Sequence, residues 1–349
     1  MSAPNESVAG IAARPSVTIK DIAKALDLSH TTISRALADH PKISEATKAS
    51  VRQMARRMGY VANGPARNIR GMNSLVIGLI IPDIQNDFYA SIAKIVADAA
   101  TDQGFQLALS ITEDNPEREL KDLRAFIVSR AAGIIVTPTS TPRAETLALL
   151  QGVPAVQLVR QAPDIHKEVV AIDDEAAVRA ATVHLINYGH RRIAYVGTTT
   201  EFSCGVDRLA GFDSAMRANG LDPGLAVVGL PRPEFAQHAV HRLMTLAEPP
   251  TGLVIGSSSL TIGALQALRS IRLSCPEDVS VVGYGDPDWF GLVGDGLTTI
   301  SLPVQPMGNY LISLLLAKIK DKQPFESISQ VASRFPASLT IRGSTKPLA

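Results

Sequence analysis

The sequence predicts an α/β protein in which a small helix-turn-helix head precedes a two-lobed body built on parallel sheets. Three observations lead there. Residues 18–37 place two short amphipathic helices on either side of a three-residue turn. From Ser74 onward, short apolar runs of strand length alternate with helical stretches. The alternation starts again at Asp174, so one chain carries two α/β units. Alternating strands and helices imply parallel sheets with helices on both faces.

Composition narrows the class. The chain has 349 residues, 46% of them hydrophobic and 19% charged, which is ordinary for a globular protein with more than one core. Cys204 and Cys275 are isolated, so neither a disulfide framework nor a cysteine zinc site is expected. Residues 1–16 show no apolar run behind a basic start, and no stretch approaches the ~20 apolar residues of a membrane span. The expectation is a cytoplasmic protein without a membrane partner. Charge is unevenly spread: residues 1–74 hold 11 Lys+Arg against 5 Asp+Glu, a net charge of +6, and the rest of the chain carries −5. A basic head on an acidic body points to an anionic partner for the head alone, and duplex DNA is the natural one.

Residues 1–16, with Pro4, Gly10 and Pro15 and no periodicity, read as a disordered leader. Residues 17–62 form the head. Thr18 caps a first helix, with Asp21 in its first turn and Ile19, Ile22, Ala23 and Leu26 at helical spacing. Asp27-Leu28-Ser29 makes the turn, and Ser29 caps a second helix with Ile33, Ala36 and Leu37 inside. That leaves His30, Thr31, Thr32, Ser34 and Arg35 outside, a polar face fit for the major groove. Ser44 caps a third helix with Val51, Met54 and Met58 inside and Lys48, Arg52, Arg56 and Arg57 outside.

Residues 63–73 are a hinge and linker, and residues 74–349 the body. Strands are expected at 75–81, 105–111, 133–136, 155–158 and 169–172, with helices at 88–103 and 117–130. The second unit has strands at 192–196, 226–230, 253–255, 279–284 and 298–301, helices at 174–188 and 208–219, and a helix after each of the strands at 226–230 and 253–255. Ligands in such sheets bind beyond the carboxyl ends of the strands, here the cleft between the lobes.

The most specific signal lies just after the third helix. Tyr60-Val61-Ala62-Asn63 leads into Pro65-Ala66-Arg67-Asn68-Ile69 and then into Ser74-Leu75-Val76-Ile77-Gly78-Leu79-Ile80-Ile81-Pro82-Asp83. In this order the chain resembles the LacI/GalR family of bacterial transcription regulators, from Val17 to about Arg342. The resemblance implies a periplasmic-binding-protein-like body in which the chain crosses between lobes. The first lobe would hold residues 74–173 and 303–330, the second 174–302 and 331–343. It implies sequence-specific binding of operator DNA, as a repressor whose affinity a small-molecule effector controls allosterically.

The resemblance also assigns residues. His30, Thr31 and Arg35 match the base-reading positions, and arginine can bond guanine O6 and N7. Thr32 and Ser34 suit phosphate contacts or helix capping. In the hinge, Asn63 caps a helix that forms on DNA, Ala66 lets it approach its twin, and Arg67 meets phosphate or the minor groove. Ile69 would be the wedge, a position usually held by leucine. For the effector, the candidates are Asn86, Phe88, Tyr89, Arg160, Asp173, Arg208, Ser257, Ser258, Asp286 and Trp289. Arg208 stands in the family's Arg-Leu-Ala-Gly-Phe motif, and Trp289 could stack on a ligand or merely pack in its loop.

This sequence departs from sugar- and base-binding relatives where Val159, Ser257-Ser258 and Gly285 replace their acidic residues. With Arg160 and Arg208 retained, the cleft is expected to turn positive and to favour a sugar acid or other small carboxylate. The alternative is a neutral sugar or nucleobase, with Asp286 as acceptor; a solute-binding protein with no DNA-linked function is the remaining reading. His190, between a helix end and a strand, is expected to be structural. No P-loop, Gly-x-Ser-x-Gly or His-Glu-x-x-His stretch occurs, so no enzyme, catalytic residue, metal or cofactor is expected. One head reads one half-site, so a homodimer on a near-palindrome is expected, and the absence of a leucine-heptad tail after the last strand argues against a tetramer.

Overall fold

The computed structural model describes residues 17–60, 74–162, 164–165, 167–320 and 332–348. The chain divides into two compact units, residues 1–72 and 73–349.

In the first unit, helix α1 (Ile19–Leu26) opens on a capping box: Thr18 accepts from the Asp21 N–H, and Asp21 accepts from the Thr18 N–H. Asp27, left-handed at φ 53°, ends it. Ser29 then caps α2 (His30–Leu37), its hydroxyl accepting from Thr32 N–H at 3.1 Å, and Ser44 caps α3 (Glu45–Arg57). Ile22, Ala23, Ile33, Ala36, Val51 and Ala55 form the core. Lys48 departs from the expected outer face of α3. It is buried, its ammonium 2.7 Å from Glu45 and 3.1 Å from Asp39, with its aliphatic stem covered. Asn63, Ala66, Arg67 and Ile69 lie outside the described residues.

The second unit contains two six-stranded sheets. The first half alternates β1 (Val76–Ile81), α4 (Asp87–Asp102), β2 (Gln106–Ile111), α5 (Pro116–Val128), β3 (Gly133–Val136), α6 (Ala144–Gln151), β4 (Ala155–Leu158) and β5 (Val169–Ile172). The second half runs α7 (Asp174–Asn187), β6 (Ile193–Thr198), α8 (Ser203–Ala218), β7 (Ala226–Gly229), α9 (Pro233–Met244), β8 (Gly252–Ile255), α10 (Ser258–Ser270), β9 (Ser280–Tyr284) and β10 (Thr298–Ser301). Then come α11 (Val304–Lys320), β11 (Ala332–Phe335) and β12 (Ser338–Thr340). The sheet orders are β11-β5-β4-β3-β1-β2 and β12-β10-β9-β8-β6-β7. Every pairing is parallel except that β12 runs antiparallel to β10 at the edge of the second sheet.

The period of two decides which helix covers which face. Along β1, Ile77, Leu79 and Ile81 point to a core shared with Ile92, Val96, Leu311 and Leu315 of α4 and α11. Ile80 points the other way, to Leu123, Ile134 and Leu150. α6 is not recognisable in the sequence because Ala-Glu-Thr-Leu-Ala-Leu-Leu-Gln is short and weakly amphipathic.

One boundary differs from expectation. Residues from 331 onward were expected in the second lobe, but Ala332–Phe335 pairs in parallel with Val169–Ile172 of the first sheet. The return to the second lobe falls between Phe335 and Ser338. The three crossings therefore lie at about 173, 302–303 and 336–337, and two of them touch: Asp173 N–H donates to the Phe335 carbonyl at 2.8 Å.

Candidate effector site

Both sheets end their strands on the same cavity of about 360 Å³, well inside the range of small-molecule sites. The chain changes from strand to helix there, so the helix caps line it. Asn86 caps α4, accepting from Phe88 N–H at 3.1 Å, and Ser257 caps α10, accepting from Leu260 N–H at 3.2 Å. Phe88 and Tyr89 reach the cavity from the first turn of α4, edge to face at 5.3 Å.

Two guanidinium groups dominate. Arg208, buried on α8, donates from Nε to Asp174 Oδ1 at 2.8 Å, from Nη2 to Asp174 Oδ2 at 3.3 Å and from Nη1 to the Gly256 carbonyl at 2.9 Å. Its Cζ lies 4.1 Å from the centre of the Tyr284 ring, whose hydroxyl donates to Asp174 at 2.5 Å. Burial alone would lower the Arg208 pKa, but Asp174 more than offsets it and holds the group well above its ordinary value. Arg160, also buried, donates from Nη1 to Asp114 at 2.6 Å and to the Pro138 carbonyl at 3.2 Å. Its Cζ lies 3.5 Å from the centre of the Phe202 ring.

Phe202 precedes α8, in the second-lobe part of the chain, yet packs in the core of the first lobe. Beside it Gln161 N–H donates to Ser203 Oγ at 2.8 Å, and Arg334 on β11 pairs with Asp207 on α8 at 2.7 Å. The start of α8 is thus a tie between the lobes.

Of the residues expected at the effector, Asn86, Phe88, Tyr89, Arg160, Arg208, Ser257 and Ser258 line this one cavity. Asp173, Asp286 and Trp289 do not. Asp173 caps α7, accepting from Ala176 N–H at 3.3 Å. Asp286 is taken by Arg342 through two bonds of 2.7 and 2.9 Å. Trp289, 39% exposed on a 3-10 turn (Asp288–Leu292), stands edge to face with Phe290, the ring centres 4.4 Å apart.

The expectation of a positive cleft also changes. Asp83, Glu113 and Asp114 line the cavity along with Arg160, Arg208 and Arg232, and Asp174 lies directly behind Arg208. The first three carboxylates come just after β1 and β2, where the strand-end rule could have placed them. Tyr284 and Asp174 escape a reading of the sequence because their burial is visible only in the fold. His190 is structural, bonded to Thr251 Oγ1 at 2.9 Å and to the Lys346 carbonyl at 3.1 Å.

In the head, His30, Thr31 and Arg35 are exposed on α2, while Thr32 and Ser34 are half-buried. The Thr32 hydroxyl lies 2.8 Å from that of Ser29 and belongs to the cap.

Comparison with known proteins agrees with both units. Residues 18–63 match bacterial regulatory proteins of the lacI family, and residues 182–345 a periplasmic binding protein-like domain. The HTH-type transcriptional repressor CytR of Escherichia coli (strain K12) is 28% identical over 334 residues, 95% of this chain and 97% of that protein. The HTH-type transcriptional regulator GalR of the same strain is 28% identical over 319 residues, 90% of this chain and 93% of that protein. The crystal structure of the lac repressor dimer bound to operator and the anti-inducer ONPF shares the fold, with a TM-score of 0.81 at 22% identity over 95% of this chain and 99% of that one. Among the described residues no helix is long and apolar enough to cross a membrane.

Proposed function

Since the chain belongs to the LacI/GalR family of DNA-binding transcription regulators, we propose that it is a cytoplasmic, dimeric repressor released or engaged by a sugar acid held between the lobes. Each protomer supplies one head to a half-site of a near-palindrome, with Arg35 and its neighbours on α2 reading bases.

The observation that carries the effector reading is the division of the cavity wall. Asp83, Asn86, Glu113 and Asp114 on the first lobe offer oxygen acceptors, which suit hydroxyl groups, and the cation among them, Arg160, is already bound by Asp114. Arg232, Arg208, Ser257 and Ser258 on the second offer donors, which suit a carboxylate. Arg232 is exposed and, among the described residues, forms no ion pair, so its guanidinium is the one most available to a ligand. A polyhydroxylated molecule with one carboxylate satisfies both walls; a neutral sugar leaves the donor wall short of charge.

Calorimetry with D-gluconate and D-glucose tests this. Gluconate is expected to bind at least about tenfold more tightly, each decade being ~1.4 kcal/mol, and Arg232→Ala should erase the preference. Glucose binding as tightly as gluconate would exclude the sugar-acid reading.

A further inference from the structure

Glu119 lies in the first turns of α5 and is fully buried. Its Oε2 accepts from Thr139 N–H at 2.6 Å, while its Oε1 has no hydrogen-bond partner among the described residues. A buried carboxyl with an idle oxygen is costly, so its surroundings matter. Arg160 is held by Asp114 and by the Pro138 carbonyl. Asp114 directly precedes Asn115, the cap of α5, and Pro138 directly precedes Thr139. The contacts close into a ring: Asp114 to Arg160, Arg160 to Pro138, along the chain to Thr139, then to Glu119 and back through the first turns of α5. Arg160 and Asp114 form the cavity side of the ring, and Glu119 its buried side. Glu113 and Asp114 sit in the left-handed region at φ 51° and 60°, and Val159 beside Arg160 at φ 64°. Non-glycine residues, a β-branched one above all, keep such angles only where neighbouring contacts over-determine them.

We propose that Glu119 is a positioning residue of the effector site. By anchoring the Thr139 amide it fixes the Pro138 carbonyl, and through that the direction of the Arg160 guanidinium in the cavity wall. Its meaning for regulation rests on the cavity being the effector site; the link from Glu119 to Arg160 does not. Burial raises the Glu119 carboxyl above its usual range, with the Thr139 amide pulling the other way. Accepting that amide needs no negative charge, so glutamine should serve.

The test is the rate at which phenylglyoxal modifies Arg160 and Arg208 in the full chain, read peptide by peptide by mass spectrometry. Glu119→Gln should leave Arg160 at the wild-type rate. Glu119→Ala, and Glu119→Asp with its carboxyl one methylene short, should speed Arg160 by about tenfold, as loss of one anchoring hydrogen bond allows, with Arg208 unchanged. The aspartate variant keeps the test open if alanine does not fold. Arg160 at the wild-type rate in the alanine and aspartate variants, or Arg160 and Arg208 speeding up together, would overturn the proposal. If Arg160 responds as expected but D-gluconate fails to bind wild type, the ring stands and the sugar-acid reading falls.

Discussion

The Arg208 guanidinium commits three of its five N–H groups to Asp174 and Gly256, so most of it is bound before any ligand arrives. Both partners are buried, and removing one strands the other's charge in a low dielectric. Arg208→Ala should therefore lower stability by ~3–5 kcal/mol, read as a fall in the urea midpoint, and adding Asp174→Asn should recover a large part. A midpoint unchanged by Arg208→Ala would contradict the pairing. The head offers a contrast. Arg35 and Arg56 are exposed on different helices. Arg35→Ala should cost ~1–3 kcal/mol on the cognate duplex and little on random DNA if it reads a guanine. Arg56→Ala should weaken both about equally and flatten the salt dependence, as a phosphate contact would. Equal losses for Arg35→Ala on the two duplexes would remove its reading role. Residue type and position suffice to nominate both arginines. The sequence does not reveal the carboxylate beside Arg208, which lies 34 positions away.

Among the elements, α7 and α8 pack closely because Gly211 has no side chain. A Cβ there would lie 2.3 Å from the Glu175 carbonyl oxygen, backbone that cannot step aside. The glycine of the Arg-Leu-Ala-Gly-Phe stretch thus serves packing, and its arginine serves the cavity floor. Gly211→Ala should destabilise by ~1–3 kcal/mol or more; a melting temperature equal to wild type would show that the helices can part without cost. The segment after β12 is held to the second lobe by two imidazoles. His184 Nε2 lies 3.0 Å from Thr345 Oγ1, and His190 bridges Thr251 and Lys346. Burial disfavours their charged forms and lowers both pKa values, that of His184 further through His190. The folded state then takes up protons only at lower pH than the unfolded chain. Their contribution is full above the unfolded value of about 6.5 and is lost as pH falls below it. Melting temperature should drop between about pH 7 and 5.5, and His190→Gln should reduce the drop; a rise on acidification would refute the assignment. Elements with long apolar runs, such as β1, are readable from sequence to within a residue. β11, whose Ala-Ser-Arg-Phe has no such run, is recognisable only by its register with β5.

For the whole molecule, the sequence order of head and two α/β units carries over into the fold, because each unit repeats one local pattern. The cavity is legible in part, since helix caps at strand ends fall where the alternation changes phase. Its charge is legible only in part: Asp83, Glu113 and Asp114 follow strand ends, but Asp114 and Asp174 are bound to Arg160 and Arg208, 46 and 34 positions away in sequence. The function of the whole chain depends on sequence-specific DNA binding by the head. The protein should be allowed to select duplexes from a random pool, and its affinity for the selected sequence compared with a scrambled duplex at about 0.15 M salt. A near-palindromic selected site is expected, bound about 10³-fold or more above the scrambled duplex. No enriched sequence, or equal affinity for the two duplexes, would contradict a repressor that reads its operator through this head.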